Sequence, residues 1–441
     1  MTLTASDPLL DGSPYQGYSY AYPHKTAYRP FPRPLPLREL WAGERRDALF
    51  LYVHVPFCEM RCGFCNLFTQ ARPGTALMDD YLIALGRQVE QVRAALGDAA
   101  FARLAVGGGT PTALDVKGLA GLLDLAARLL GSSAGRIPAS VETSPETAEF
   151  AKLVLLRQHG VTRISLGVQS FLEAETAAVG RPQKSAAVLS ALDCIRAQGF
   201  PVLNIDLIYG LPGQTVASWL DSVQAALRFR PEELYLYPLY VRPLTGLGRS
   251  GRSWDDHRLA CYREARDLLR TEGYRQVSMR LFRAGHCPVE DGPVYCCQDD
   301  GMVGLGCGAR SYTRSVHYSG PYAIRAQGVR EIIADYIAQP TEAFAVADHG
   351  FRLDTDEQRR RYVLQSLLLV DGLSLPTYRG RFGTDARTDL PQLTELEPRG
   401  LARAAEDRLA LTDAGLERSD AIGPWLYSPA VRALMEGYKW H

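Results

Sequence analysis

The sequence predicts an α/β fold: a partial (β/α)6 barrel of TIM type, with an N-terminal arm and a small, mostly helical C-terminal domain. Three observations predict it. From about residue 46, short β-branched or apolar runs alternate with long amphipathic stretches. One unit takes roughly 30–40 residues, the length that parallel strands joined by right-handed helical crossovers need. The alternation fades after about residue 325, and Leu-rich short helices follow from about 340.

The arm, residues 1–45, is rich in Pro, Tyr and Gly and holds little apolar periodicity. Its stretch Tyr18-Ser-Tyr-Ala-Tyr-Pro-His24 is too aromatic for a free tail, so the arm is expected to dock. The barrel with its extension spans 46–325. Strands are expected at 50–55, 102–106, 139–142, 162–167, 202–208 and 233–237. Helices are expected near 78–97, 115–130, 147–159, 185–198, 215–229 and 255–272. Residues 275–282 and 303–312 extend the sheet. The last unit, 340–441, opens with a helix from Thr355 to Val370, with Asp354 as N-cap and Gly372 just past its end. A β-like pair lies around 400–412, and a winged-helix shape stays open for this unit. Folds of this class build their sites on the loops at the C-terminal strand ends.

The 441 residues carry 49 basic and 49 acidic side chains, for a net charge of zero. This balance argues against a nucleic-acid partner or an anionic membrane surface. The run Arg359–Arg361 beside Glu357 reads as the solvated face of a helix. No charged-then-apolar leader opens the chain, and no apolar run approaches the ~20 residues of a membrane span. A cytoplasmic location follows as the expectation. The nine cysteines are then expected as thiols, metal ligands or catalytic groups, not as a disulfide framework.

Three of them form Cys58-x-x-x-Cys62-x-x-Cys65, just after the first strand. Pro56 and Gly63 keep the segment from being a regular helix, and a loop lets three thiolates converge on one cluster. Three ligands would leave one iron of a four-iron cube open to a bound molecule. A zinc site would want a fourth Cys or His at a similar local spacing, and none follows. His54 lies in the strand, and its alternation predicts that it points elsewhere.

CxxxCxxC after a first strand resembles the radical S-adenosylmethionine (SAM) superfamily. Tyr52-Val-His-Val-Pro-Phe-Cys58 resembles the branch of oxygen-independent coproporphyrinogen III oxidases, whose relatives include heme chaperones. Four further stretches are similar to that branch in order and spacing: 106–112, 140–145, 165–171 and 204–215. The resemblance implies a [4Fe–4S] cluster on Cys58, Cys62 and Cys65. It implies reductive cleavage of SAM to a 5′-deoxyadenosyl radical, which abstracts hydrogen from a small-molecule substrate. A protein electron donor such as flavodoxin or ferredoxin would supply the electron. Tyr52, Phe64, Gly108, Gly109, Thr110, Glu142, Gln169, Arg181 and Asp206 match SAM-contacting positions. From the residues alone, Tyr52 reads equally as a core aromatic, and Asp206 equally as a structural acceptor. Arg181 would suit the SAM carboxylate. An N-terminal segment closes the site in the oxidases, which implies a similar role for Tyr20 to Lys25.

The chain departs from the branch where substrate is chosen. Leu67 stands where the oxidases carry a fourth Cys. Ser278-Met-Arg-Leu-Phe282 replaces an Asp-His pair, and Tyr295-Cys-Cys-Gln-Asp-Asp-Gly301 replaces the His-Asn-x-x-Tyr-Trp of heme chaperones. The substrate therefore stays open between oxidative decarboxylation, group transfer with a second SAM, and heme binding and delivery. Arg280 and Arg310 are candidates for a substrate carboxylate, and Cys296 and Cys297 for a catalytic thiol. Cys287, Cys296, Cys297 and Cys307 could also hold a second cluster or pack as small apolar groups. Adjacent cysteines point apart in a strand, which disfavours a shared cluster. Cys194 and Cys261 fall in helical stretches and read as core.

Overall fold

The computed structural model describes residues 7–19, 21–289 and 293–439. Six parallel strands lie side by side in chain order: Leu49–Val55, Phe101–Gly108, Ala139–Thr143, Arg163–Gln169, Val202–Tyr209 and Glu233–Pro238. Helices Thr75–Leu96, Val116–Leu130, Phe150–Gln158, Ser185–Ala197 and Val216–Leu227 make the crossovers, and Arg258–Thr271 follows the sixth strand. Local chemistry sets their ends. The Asp115 carboxylate accepts from the Gly118 amide at 2.7 Å, and Thr215 and Ser218 cap each other reciprocally at the start of 216–227.

The two expected extensions join the sheet on opposite sides. Leu281–Ala284 runs antiparallel beside Glu233–Pro238, and Tyr274–Gln276 forms that edge. Met302–Leu305 pairs parallel with Leu49–Val55. Arg310–Tyr312, Val316–Ser319 and Val346–Arg352 continue outward as antiparallel strands. Among the described residues the two edges do not pair, so the sheet curves without closing.

The segment expected to be wholly an arm differs in its second half. Arg29–Pro36 is the other edge strand of the sheet, antiparallel to Val346–Arg352. Leu37–Ala42 is a helix that buries Trp41 completely. Pro30, Pro32, Pro34 and Pro36 alternate along the strand. Proline lacks the N–H of an interior ladder and fits an edge. The first half docks: Tyr15 belongs to the barrel core, while Leu10, Tyr22 and Ala27 belong to a separate core with the C-terminal helices.

That C-terminal core is built on helix Thr355–Leu367, which ends three residues before the expected Val370. Asp354 caps it through the Glu357 amide at 2.9 Å. The β-like pair is Ala402–Ala404 with Arg408–Leu411, and Leu373–Ser374 adds a third strand. No helix of the described residues is long and apolar enough to cross a membrane.

Candidate functional site

Strand alternation and register bring one set of side chains to the concave face. Glu142 sits beside Ser165, which sits beside Asn204 and then Glu233. One level nearer the C-terminal strand ends, Gly167 sits beside Asp206 and Tyr235. Arg163 reaches from the fourth strand to Glu233 at 2.8 Å, and Arg283 meets the same carboxylate at 2.8 Å. These pairs close the floor of the concave face with satisfied charges. Its mouth lies at the C-terminal ends of the strands, where the three-cysteine loop begins.

The cluster loop is pinned at several points. Phe57–Cys58 pairs with Gln70–Ala71. The Gln70 amide donates to Pro56 O at 2.6 Å, and the Arg72 amide to Cys58 O at 2.8 Å. Gly63 donates its amide to Val179 O at 2.8 Å and accepts from the Leu247 amide at 2.7 Å. A Cβ there would stand 2.6 Å from Val179 O, so only glycine docks this closely. The thiols gather around this anchor. Thr110 Oγ1 donates toward Cys58 Sγ at 3.7 Å, Arg181 Nη1 donates to Cys62 Sγ at 3.2 Å, and Thr69 Oγ1 lies 4.0 Å from Cys65 Sγ. Burial, then the neighbouring Cys65, pushes the Cys58 thiol up to about 12. Burial raises Cys65 as well. Such thiols give up their protons to a metal centre, not to water. Among the described residues no three Cys, His, Asp or Glu side chains gather tightly enough to hold a single ion. A four-iron cube takes each thiolate at a separate corner, which three cysteines on one loop suit.

Beside the loop lies the glycine turn Gly107-Gly-Gly109. A Cβ on Gly109 would meet Phe57 O at 2.4 Å and Cys58 Sγ at 3.0 Å. A Cβ on Gly107 would press on the Glu142 carboxylate at 2.7 Å. Glu142 is exposed to the open cleft, although protein packs densely around it at the level of the strand. The Gly108 amide donates to it at 3.1 Å. Burial, reinforced by Asp206, raises its pKa to about 7. Asp206 stands at mid-strand, not at its end, and accepts from Asn204 Nδ2 at 2.8 Å and Ser165 Oγ at 3.2 Å. Burial raises it too, against the Asn204 bond and Arg163. Gln169 ends the fourth strand at φ +68°, a strained value for a non-glycine residue that recurs at functional sites. Arg181 also donates to Gly167 O at 2.8 Å. Tyr52 lines the same face, 3.3 Å from His54 Nδ1 through its hydroxyl. Phe64 packs on the small apolar cluster of Val179, Ile208, Leu211, Leu239 and Leu247.

His54 corrects one expectation. Alternation places it on the same face as Tyr52, not away from it. Its ring is held by Phe68 O at 3.0 Å from Nε2, and burial lowers its pKa to about 4, so it is a neutral structural group.

The substrate-side candidates separate. Arg280 is buried, paired with Asp420 and stacked on Tyr18 at 3.7 Å, so its charge is spent on the fold. Arg310 lies at the level of Tyr52: Gly304, paired with Tyr52, has Arg310 O where its Cβ would go. It acts electrostatically on His24, Lys25 and His54 and remains at the mouth. Cys296 and Cys297 lie at the opposite end. Tyr295 rests on Phe50 with ring centroids 5.2 Å apart, at the start of the first barrel strand. They occupy a turn, not a strand, and both thiols reach the same Gln298 Oε1, at 3.2 and 3.3 Å. Cys261 is core as expected, Cys194 is only partly buried, and Cys307 is buried.

Sequence reasoning missed two contributors. Glu175 accepts from Ser170, Gln214 and Ser218 at 2.7, 2.9 and 2.6 Å, fixing the segment that carries Gly180 and Arg181. Tyr322 donates to Asn66 O at 2.6 Å, beside Cys65. Neither carries a local motif. Tyr20, within the expected closing segment, lies outside the described residues.

The profile described as Radical SAM superfamily, whose members use a [4Fe–4S] cluster and SAM, matches residues 52–226. The HemN C-terminal domain profile matches 353–417. The heme chaperone HemW of Bacillus subtilis is 28% identical over 85% of this chain and 98% of its own. The oxygen-independent coproporphyrinogen III oxidase of Pseudomonas aeruginosa is 28% identical over 92% and 89%. Escherichia coli HemW is 30% identical over 59% of this chain and 69% of its own. In fold, the coproporphyrinogen III oxidase HemN of E. coli superposes with a TM-score of 0.78 at 24% identity, over 92% of this chain and 96% of that one. The chain therefore belongs to the radical SAM superfamily, in the branch of the oxygen-independent coproporphyrinogen III oxidases and heme chaperones.

Proposed function

We propose that this chain is a SAM-cleaving radical enzyme, with Cys58, Cys62 and Cys65 as ligands of one [4Fe–4S] cluster. The observation that carries the reading is a loop of three free thiols over a glycine cradle, beside the Glu142 carboxylate, which accepts from the Gly108 amide. When bound, the cluster and SAM supply reductive sulfur–carbon cleavage and a 5′-deoxyadenosyl radical that takes hydrogen from an organic substrate. The chain's residues bind and orient. Glu142, Asp206 and Gln169 offer oxygen acceptors to the hydroxyl and amino groups of SAM. Arg181 offers a guanidinium to its carboxylate. Gly108, Gly109 and Thr110 let backbone approach, and Tyr52 and Phe64 flank. The arm excludes water from the mouth, where Arg310 faces the substrate. A protein donor such as flavodoxin or ferredoxin suits the electron supply.

The test is anaerobic reconstitution with iron and sulfide, addition of SAM and a strong reductant, and chromatographic quantification of 5′-deoxyadenosine. The expected result is cluster-dependent 5′-deoxyadenosine that Cys62→Ala abolishes. Fully clustered protein that makes none, alone or with coproporphyrinogen III, would sink the reading.

Two finer readings have support from relatives. Likeness to the Pseudomonas oxidase supports oxidative decarboxylation of coproporphyrinogen III. The nearly full-length match to a heme chaperone supports heme binding and delivery. Stoichiometric heme uptake without 5′-deoxyadenosine would select the second.

A further inference from the structure

We infer that Lys25, carried by the N-terminal arm, is a positioning cation for the cluster, so that docking of the arm makes the cluster easier to reduce. The inference rests on the cluster assignment proposed above. Lys25 opens the short turn Lys25–Ala27, whose Thr26 and Ala27 are buried and whose His24 side chain caps the Thr26 amide. The backbone under Lys25 is thereby fixed. Its Nζ stands 3.3 Å from the centroid of the Tyr322 ring. The Tyr322 hydroxyl in turn donates to Asn66 O at 2.6 Å, the residue after Cys65. The Tyr438 hydroxyl donates to Tyr322 O at 2.9 Å, and Arg61 reaches Ile324 O. One tyrosine therefore joins the arm, the C-terminal helices and the cluster loop.

Among the described residues the charges that act on Lys25 are Arg310, which repels the ammonium, and Cys65, which favours it. Burial and Arg310 hold its pKa well below the ordinary lysine value. Among the described residues the Tyr322 ring face and the thiol side of the cysteine loop are what favour a charge on Lys25, so its cationic form is matched to negative charge on the cluster side. Reduction adds one negative charge to a cluster already carrying three thiolates. In a partly buried site a nearby ammonium favours that state, because Coulomb energies away from bulk water exceed those in it. Charge and hydrogen bonding around the sulfurs set cluster potentials.

The experiment is a redox titration of anaerobically reconstituted full-length protein without SAM, followed by electron paramagnetic resonance, with iron content and circular dichroism as loading and folding controls. Lys25→Met is expected to lower the reduced-to-oxidised ratio about tenfold at a fixed donor potential, equivalent to about 59 mV for one electron. Lys25→Arg should keep the wild-type potential. Lys25→Gln provides the same reading if Lys25→Met loses iron. Wild-type protein with no reducible cluster overturns the cluster assignment and this inference with it. A normal wild-type cluster whose potential is unmoved in fully loaded Lys25→Met or Lys25→Gln overturns this inference alone.

Discussion

The strand mouth and the seam beneath the arm treat polar groups in opposite ways. At the seam, among the described residues, the buried carboxylates Asp420, Glu357 and Glu417 each meet partners within the chain. Arg280 pairs with Asp420, which also accepts from Tyr240. Glu357 accepts from Tyr22 and, at 2.6 Å, from Ser428. Arg263 grips Glu417 with two bonds of 2.9 and 2.6 Å. At the mouth, thiols crowd one loop and Glu142 is held by a glycine amide at a raised pKa. Buried polar groups cost free energy unless satisfied. The seam satisfies them within the chain, which marks structure. The mouth presents them where a ligand would reach, as the proposed function requires. Arg280 changes sides on this argument: its residue type suggested a substrate contact, and its partners make it a clamp.

The largest expected effect tests that reassignment. Arg280→Met leaves Asp420 buried without its ion pair. Breaking one side of a buried pair costs about 3–5 kcal/mol. Urea or thermal unfolding should show a large loss of stability, with the cluster signal intact at low temperature. A variant as stable as the parent but unable to consume substrate would return Arg280 to the site.

Gly109→Ala probes the mouth by crowding. The new methyl would press on Phe57 O and Cys58 Sγ. Overpacking of this kind costs about 1–3 kcal/mol, and here it should be read as lower iron content per chain. Gly121→Ala, in helix Val116–Leu130 with nothing within 4 Å of the added Cβ, is the matched control. Equal iron in both variants would show that the glycine turn is not a close support of the ligand loop.

The mouth was the more legible of the two regions, and the reason is physical. Three cysteines on one short loop stand out as a motif, so Cys58, Cys62 and Cys65 can be proposed as one ligand set from the sequence alone. The six parallel strands were legible because strands covered by helices are continuous apolar runs. Asp206 stood out as a carboxylate within one. The seam was not legible, because Arg280 and Asp420 are 140 residues apart and neither carries a local signal. The edge strand Arg29–Pro36 was hidden by its prolines, which read as an irregular arm until an edge partner explains them. Adjacent cysteines would point apart in a strand, whereas at Cys296 and Cys297 the Asp300 carboxylate accepts the Cys296 amide at 2.8 Å and folds the segment into a turn.

Glu142 sharpens the comparison by pH. Its pKa lies at about 7, raised by burial and then by Asp206. For the unloaded fold the sign is that of a raised carboxyl. Its contribution to stability is full below the ordinary value of 4.5 and is lost as pH rises through about 7. SAM should act oppositely, since its hydroxyl and ammonium groups favour the ionised carboxylate. Isothermal titration is expected to show SAM binding tighten as pH rises through 7. Below that point affinity falls by at most about tenfold per unit, the limit for one linked proton. Glu142→Gln should bind more weakly with a flat profile. A profile unchanged by Glu142→Gln would remove this carboxylate from the SAM contacts.

The smallest expected effect falls at the far end of the strands. The first barrel strand separates Tyr295, against its start, from Cys58, beyond its end. Seven residues at ~3.3 Å each span about 23 Å, too far for a thiol to meet a radical formed at the mouth. Cys296 and Cys297 share Gln298, whose amide Nε2 reaches Gln365 O and Ser366 on the C-terminal helix, both at 3.3 Å. The pair therefore belongs with the seam. Cys296→Ser and Cys297→Ser keep a hydroxyl that can donate to Gln298, so stability should stay within about 0.5 kcal/mol. The 5′-deoxyadenosine yield should stay within about twofold, since 0.4 kcal/mol is a factor of two. A yield that collapses in Cys297→Ser while iron content and melting hold would place chemistry at both ends of the strands. The division between a ligand-facing mouth and an internally paired seam would then fail as a guide to where this protein works.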